Sequence, residues 1–214
     1  MNFDILHTDD IRVEHCDGTR RSVQSALDLC REERRPYVVI KKEELRTKNC
    51  ACSTENQQQE NSSTYNIQNS KLSTILVPIT MLEEEVYKAE ICTYLARKTG
   101  AHLILLRAND YGSKAIQNTQ RIITHIQTIS ERTGTSISYE ERVAKGDSFH
   151  IHKELHTILP LEGGDRGGLI LLTASREYGV DDWLFGPPEQ YVIRHCQVPV
   201  MLVNPRSDLF SLCD

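Results

Sequence analysis

The chain has 214 residues, a formal net charge of -5, 26% charged residues and 39% apolar residues, which suits one full soluble domain plus an extra segment. Its mild acidity, with no basic stripe, argues against a nucleic-acid binder, and no apolar run reaches the roughly 20 residues that span a bilayer. The opening MNFDILHTDD lacks a basic region followed by an apolar stretch, so the expectation is no secretory leader, no membrane partner and a cytoplasmic location with reduced cysteines.

The first segment, residues 1–48, reads as strand, helix, strand. Ile11 and Val13 alternate between Asp10 and His15. Ser22 to Arg35 then places Val23, Ala26, Leu27 and Cys30 at helical spacing and ends at Pro36. Tyr37 to Ile40 is a short apolar strand. The arginines at 20, 21, 31, 34 and 35 are interleaved with Asp28, Glu32 and Glu33, which describes a solvated helix face better than a phosphate patch. Residues 49–71 are polar and almost without aliphatic side chains. Such a stretch cannot bury enough surface to offset its ordering entropy, so it reads as a linker.

Residues 72–206 are more regular, and 207–214 form a tail. Ser73 to Ile79 is an apolar strand, Leu82 to Thr99 a helix stopped by Gly100, and Ala101 to Arg107 a strand with a continuous aliphatic run. Ser113 to Arg132 is helical and stops at Gly134; Thr135 to Ala144 alternates as a strand; Phe149 to Leu159 is helical. Gly168 to Thr173 is a second buried strand, Pro187 to His195 a short helix, and Val198 to Val203 the last strand. Strands alternating with helices predict an α/β domain: a five-stranded, mostly parallel, Rossmann-like sheet between helix layers, with the strand-helix-strand segment as an addition. Ligands of such sheets sit beyond the strand carboxyl ends where the strand order reverses, so a site is expected in the loops after Ile79, Leu106 and Leu172.

From Ser73 to Pro205 the chain resembles the universal stress protein family. The opening Thr74-Ile75-Leu76-Val77-Pro78, the turn Lys145-Gly146-Asp147, the end of the last helix at Arg194-His195 and the strand start Val198-Pro199-Val200 fall in the family's order. Its glycine loop, Gly-x2-Gly-x9-Gly-Ser/Thr, aligns without a gap on Thr173, Arg176, Gly186 and Pro187. The resemblance implies ATP with Mg²⁺ as ligand, yet the matching positions are altered. The first-strand aspartate is Thr80, the first two glycines are Thr173 and Arg176, and the phosphate-binding hydroxyl residue is Pro187, followed by Pro188. Threonine and arginine hinder the backbone approach that glycine permits, and proline supplies no N–H to an anion. The expectation is a chain with no cofactor. In the alternative reading Thr80, Thr173, Ser175, Arg176 and Gly186 still hold a nucleotide in a switch or slow ATPase.

Other groupings carry less. His150, His152 and His156 lack an acidic or thiol ligand at matching spacing, so they read as a polar helix surface rather than a metal site. Cys50 and Cys52 lie in the linker. The seven cysteines have no regular spacing and do not read as a disulfide framework. No nucleophile elbow, Walker lysine or paired carboxylates in a strand-end loop appear, so catalysis is not expected. The final strand reads as a sheet edge. The resemblance implies a homodimer pairing there through Val198, Val200 and Leu202. The function expected is that of a dimeric, non-catalytic stress-response regulator with protein partners. A metabolite sensor working through the N-terminal segment is a further alternative.

Overall fold

The computed structural model describes residues 12–32, 37–41, 72–159, 167–174 and 187–203. The linker, the tail, Cys50, Cys52, Ser175, Arg176, Gly186 and the stretch from Asp181 to Phe185 lie outside the described residues. Among the described residues seven strands form one sheet: β1 (Arg12–Cys16), β2 (Tyr37–Lys41), β3 (Leu72–Ile79), β4 (His102–Arg107), β5 (Tyr139–Val143), β6 (Gly167–Thr173) and β7 (Val200–Val203). Their order is β1-β2-β7-β6-β3-β4-β5, and every pairing is parallel except that of β2 with β7. The α/β class is as expected, but the sheet has seven strands rather than five.

The two additional strands come from the N-terminal segment, which continues the sheet beyond β7. Its helix α1 (Arg20–Glu32) connects β1 to β2 as the crossover that a parallel pair requires. The helix begins where the Asp17 carboxylate accepts the Thr19 amide at 2.8 Å and the Ser22 hydroxyl, occupying donors that the first helical turn leaves open.

The buried strand residues divide between two cores, because side chains alternate along a strand. On one face Ile75, Val77 and Ile79 of β3 meet Ile91 and Leu95 of α2 (Lys88–Thr99) and Ile122 and Ile126 of α3 (Lys114–Thr133). On the other face Leu76, Ile170 and Leu202 meet Val23 and Leu27 of α1, Leu155 of the single-turn α4 (Leu155–Ile158), and Val192 and Ile193 of α5 (Pro188–His195). Val38 enters the first core and Val39 the second, so β2 is built into both.

The last strand is therefore not an edge. Tyr37, Val38 and Val39 pair antiparallel with Leu202, Met201 and Val200 on one side of β7, and β6 pairs on the other. Val198, Val200 and Leu202, expected at a dimer edge, are buried in this chain's own core. The apolar character of β7 is explained by burial between two strands of the same chain.

Several elements are shorter than the periodicity predicts. The helix expected from Leu82 begins as a 3-10 turn over Glu83–Tyr87. The helix expected from Phe149 reduces to a 3-10 turn, Ile151–Lys153, followed by α4. There the Asp147 carboxylate accepts the Phe149 and His150 amides at 3.1 and 3.0 Å. Gly100 and Gly134 end α2 and α3 with φ of 73° and 63°, the left-handed conformation that glycine adopts without strain.

Two predictions follow from this packing. Val200→Lys places an ammonium in a core position 1% exposed and should remove more than about 4 kcal/mol from stability in denaturant unfolding; a stably folded variant would contradict the internal position of β7. The hydrogen bonds from Ser22 and Thr19 lower the Asp17 carboxyl from 3.8 to about 2. Its support of α1 is thus complete above pH 3.8 and lost as pH falls through about 2. A carboxyl titration by NMR should find that midpoint, whereas an ordinary one would refute the cap.

Candidate functional site

The strand order reverses at β3, whose neighbours β4 and β6 lead in opposite directions across the sheet. At the carboxyl ends of β3 and β6 lies a cavity of about 490 Å³, within the range of small-molecule sites and at the place an open α/β sheet provides one. Its walls include Pro78, Ile151, Leu155, Leu172 and Val192, and its polar lining includes Thr80, Glu84, Glu85, Lys88, Ser148, Thr173 and Glu189. Thr80 and Thr173, expected from the sequence, thus meet in one site.

The floor is a buried charge cluster. Lys88 is 1% exposed and Glu85 3% exposed. The Lys88 ammonium pairs with the Glu85 carboxylate and donates to the Pro78 carbonyl. The Thr80 hydroxyl donates to the other Glu85 oxygen at 2.8 Å. The Pro78 carbonyl and Thr80 come from the end of β3, Glu85 from the 3-10 turn and Lys88 from the first residue of α2. Asn118 of α3 holds this loop by donating to the Thr80 and Leu82 carbonyls at 2.9 and 2.7 Å. Sequence inspection overlooked the cluster, although an acid and a base three residues apart beside a buried strand were its signal.

The rim is tied across the strand ends. Ser148, after β5, accepts the Met81 amide at 2.9 Å and donates its hydroxyl to Asp110, after β4; the Asp110 carboxylate also accepts the Ser148 amide at 2.8 Å. The expected glycine turn is close-packed: a Cβ on Gly146 would lie 3.1 Å from Glu154 Oε1. The three histidines do not converge on a metal, and the described residues contain no cluster of metal-ligating side chains. His150 bonds Asp147 at 2.7 Å. His152 meets the Tyr191 ring edge-on at 5.3 Å, and burial, aided by Lys153 and His150, holds its imidazole below the ordinary range.

The fourth side of the cavity is the start of α5. Pro187 is the N-cap in extended conformation and Pro188 the first helical residue. Neither has an N–H, and the Gln190 amide already donates to the Pro187 carbonyl at 2.9 Å. The first turn instead presents the Glu189 side chain, 4% exposed, to the cavity. A first turn where anions are normally received through amides here begins with two pyrrolidine rings that lack an N–H, has its Gln190 backbone amide engaged, and carries a carboxylate.

No protein-family profile and no curated protein matches the chain. Solved structures do. A universal stress protein from Archaeoglobus fulgidus superposes with a TM-score of 0.54 at 14% identity, over 93% of this chain and 62% of that one. The chain has the universal stress protein fold. That match takes in the N-terminal segment, since residues from Leu72 onward cannot fill 93% of the chain. The chain spans less than two thirds of this larger relative. A universal stress protein in complex with cAMP superposes with a TM-score of 0.45 at 16% identity, over 63% of this chain and 98% of that one. Within the fold, the cavity occupies the expected switch point, while Lys88, Glu85 and Thr80 are engaged with one another.

Lys88→Met should strand the Glu85 carboxylate in the interior and cost about 3–5 kcal/mol. Adding Glu85→Gln should recover a large part of that loss. Denaturant melts of the single and double variants check this, and a single-variant loss below about 1 kcal/mol would show that the pair is not structural.

Proposed function

We propose that this chain is a non-catalytic, cytoplasmic regulator of the universal stress protein type, acting through a bound small molecule or a protein partner and not through ATP. The observation that carries this reading is the start of α5, where Pro187 and Pro188 replace the amide donors a phosphate would use. The charge cluster supports it, because the cavity's buried ammonium is already held by Glu85 and by the Pro78 carbonyl. A triphosphate entering here would break a buried ion pair and meet Glu84 and Glu189, a cost that like charges at short range in a low-dielectric site make large.

Calorimetric titration of the full chain with ATP and Mg²⁺, with chromatography of any nucleotide released on denaturation, tests the proposal. The expected result is no heat at millimolar nucleotide and no released nucleotide. Micromolar binding or a co-purified nucleotide would overturn it in favour of a nucleotide switch.

A further inference from the structure

We infer that the switch-point cavity takes a small, uncharged, predominantly apolar molecule carrying a single hydrogen-bonding group; this rests on the reading that the site does not serve ATP. The inference comes from which polar groups remain to meet a ligand. Lys88 is held by Glu85 and the Pro78 carbonyl, and Thr80 donates to Glu85. Glu84 and Glu189 each have interactions within the chain. The Ser148 hydroxyl donates to Asp110 and accepts the Met81 amide. The Thr173 hydroxyl is the neutral group among the lining residues whose buried oxygen has no hydrogen-bond partner. A buried hydroxyl without a partner is costly, and a ligand that bonds it removes that cost.

His152 also lines the cavity, its imidazole hydrogen-bonded to the Phe149 backbone and set edge-on to the Tyr191 ring, and the remaining wall is mainly aliphatic, with Ile151, Leu155, Leu172 and Val192. An anionic ligand gains nothing from an ammonium already paired with Glu85, meets Glu84 and Glu189, and loses its hydration. An apolar body gains by leaving water, and about 490 Å³ accommodates two or three fused or linked rings. A single donor or acceptor on that body then meets Thr173. A site with mostly apolar walls and one aimed polar group fixes orientation by that group and affinity by burial.

The probe is N-phenyl-1-naphthylamine, an uncharged diaryl amine with one N–H, compared with its relative 8-anilinonaphthalene-1-sulfonate, which has the same rings and an added anion. In fluorescence titrations of the full chain, the neutral amine should bind at one site and at least about tenfold more tightly than the sulfonate, a difference of about 1.4 kcal/mol. Ala174→Phe, which projects a ring into the cavity, should remove the site, and Thr173→Val should weaken the amine severalfold while raising the melting temperature. If Ala174→Phe fails to fold, the wild-type comparison and Thr173→Val still decide. No one-to-one binding of the amine, equal or tighter binding of the sulfonate, or an amine indifferent to Thr173→Val would overturn the inference. Absence of amine binding together with absence of ATP binding defeats this inference and leaves the proposed function standing; ATP that binds and displaces the amine defeats the proposed function itself.

Discussion

The Lys88 ammonium, held in the interior by the Glu85 carboxylate and the Pro78 carbonyl, is the constraint around which this site is organised. It joins the end of β3, the turn after it and the first residue of α2. A buried lysine without such partners would be intolerable, and with them it is a fixed internal clamp. Because the pair neutralises itself, its ammonium offers little charge to an anion. The two prolines at the start of α5 act in the same direction by removing amide donors from the opposite wall. Each feature is structurally favourable, since proline suits a first helical turn, and each works against anion binding.

The N-terminal segment changes the sheet as much as the site residues change the cavity. By pairing antiparallel with β7, β2 places the last strand inside the sheet, so that among the described residues the edge on that side is β1. Helix α1 follows onto the same face as α5, where the Gln190 side chain donates its Nε2 to the Gln24 Oε1 at 3.2 Å. The segment therefore belongs to the core that supports the cavity wall, since Val23 and Leu27 share a cluster with Val192 and Leu155. At the other end of the sheet, the edge strand β5 carries Glu140, Glu141 and Arg142 in ion pairs with each other or with Arg107. Charge of that kind discourages edge-to-edge association.

Much of this architecture was legible in the sequence because it is written locally. The aliphatic runs of β4 and β6, the helical spacing of Ile122, Ile126 and Ile129, and the stops at Gly100 and Gly134 each reflect one element's own periodicity or backbone need. The place of the cavity followed from strand alternation, and Thr80 and Thr173 indeed line it. What local pattern does not encode is pairing between distant strands. An apolar β7 reads the same whether its neighbour is a second molecule or residues 37–39 of the same chain. The Glu85–Lys88 pair was hidden for a related reason. Charged residues at the start of a helix normally face water, and only the packing of α2 against β3 makes them interior. The short helices after Asp147 escaped because a capping carboxylate and close contacts around Gly146, not hydrophobic spacing, set their limits.

The most direct test of the account is whether the Lys88 ammonium is available to an anion. With lysine side chains labelled with ¹⁵N, the Lys88 Nζ resonance can be followed while inorganic tripolyphosphate is added to the full chain. Burial beside Glu85 predicts a slowly exchanging signal whose position does not change up to millimolar tripolyphosphate. A saturable shift of that resonance would mean that the ammonium leaves Glu85 for phosphate, and the internally neutralised cavity would be refuted.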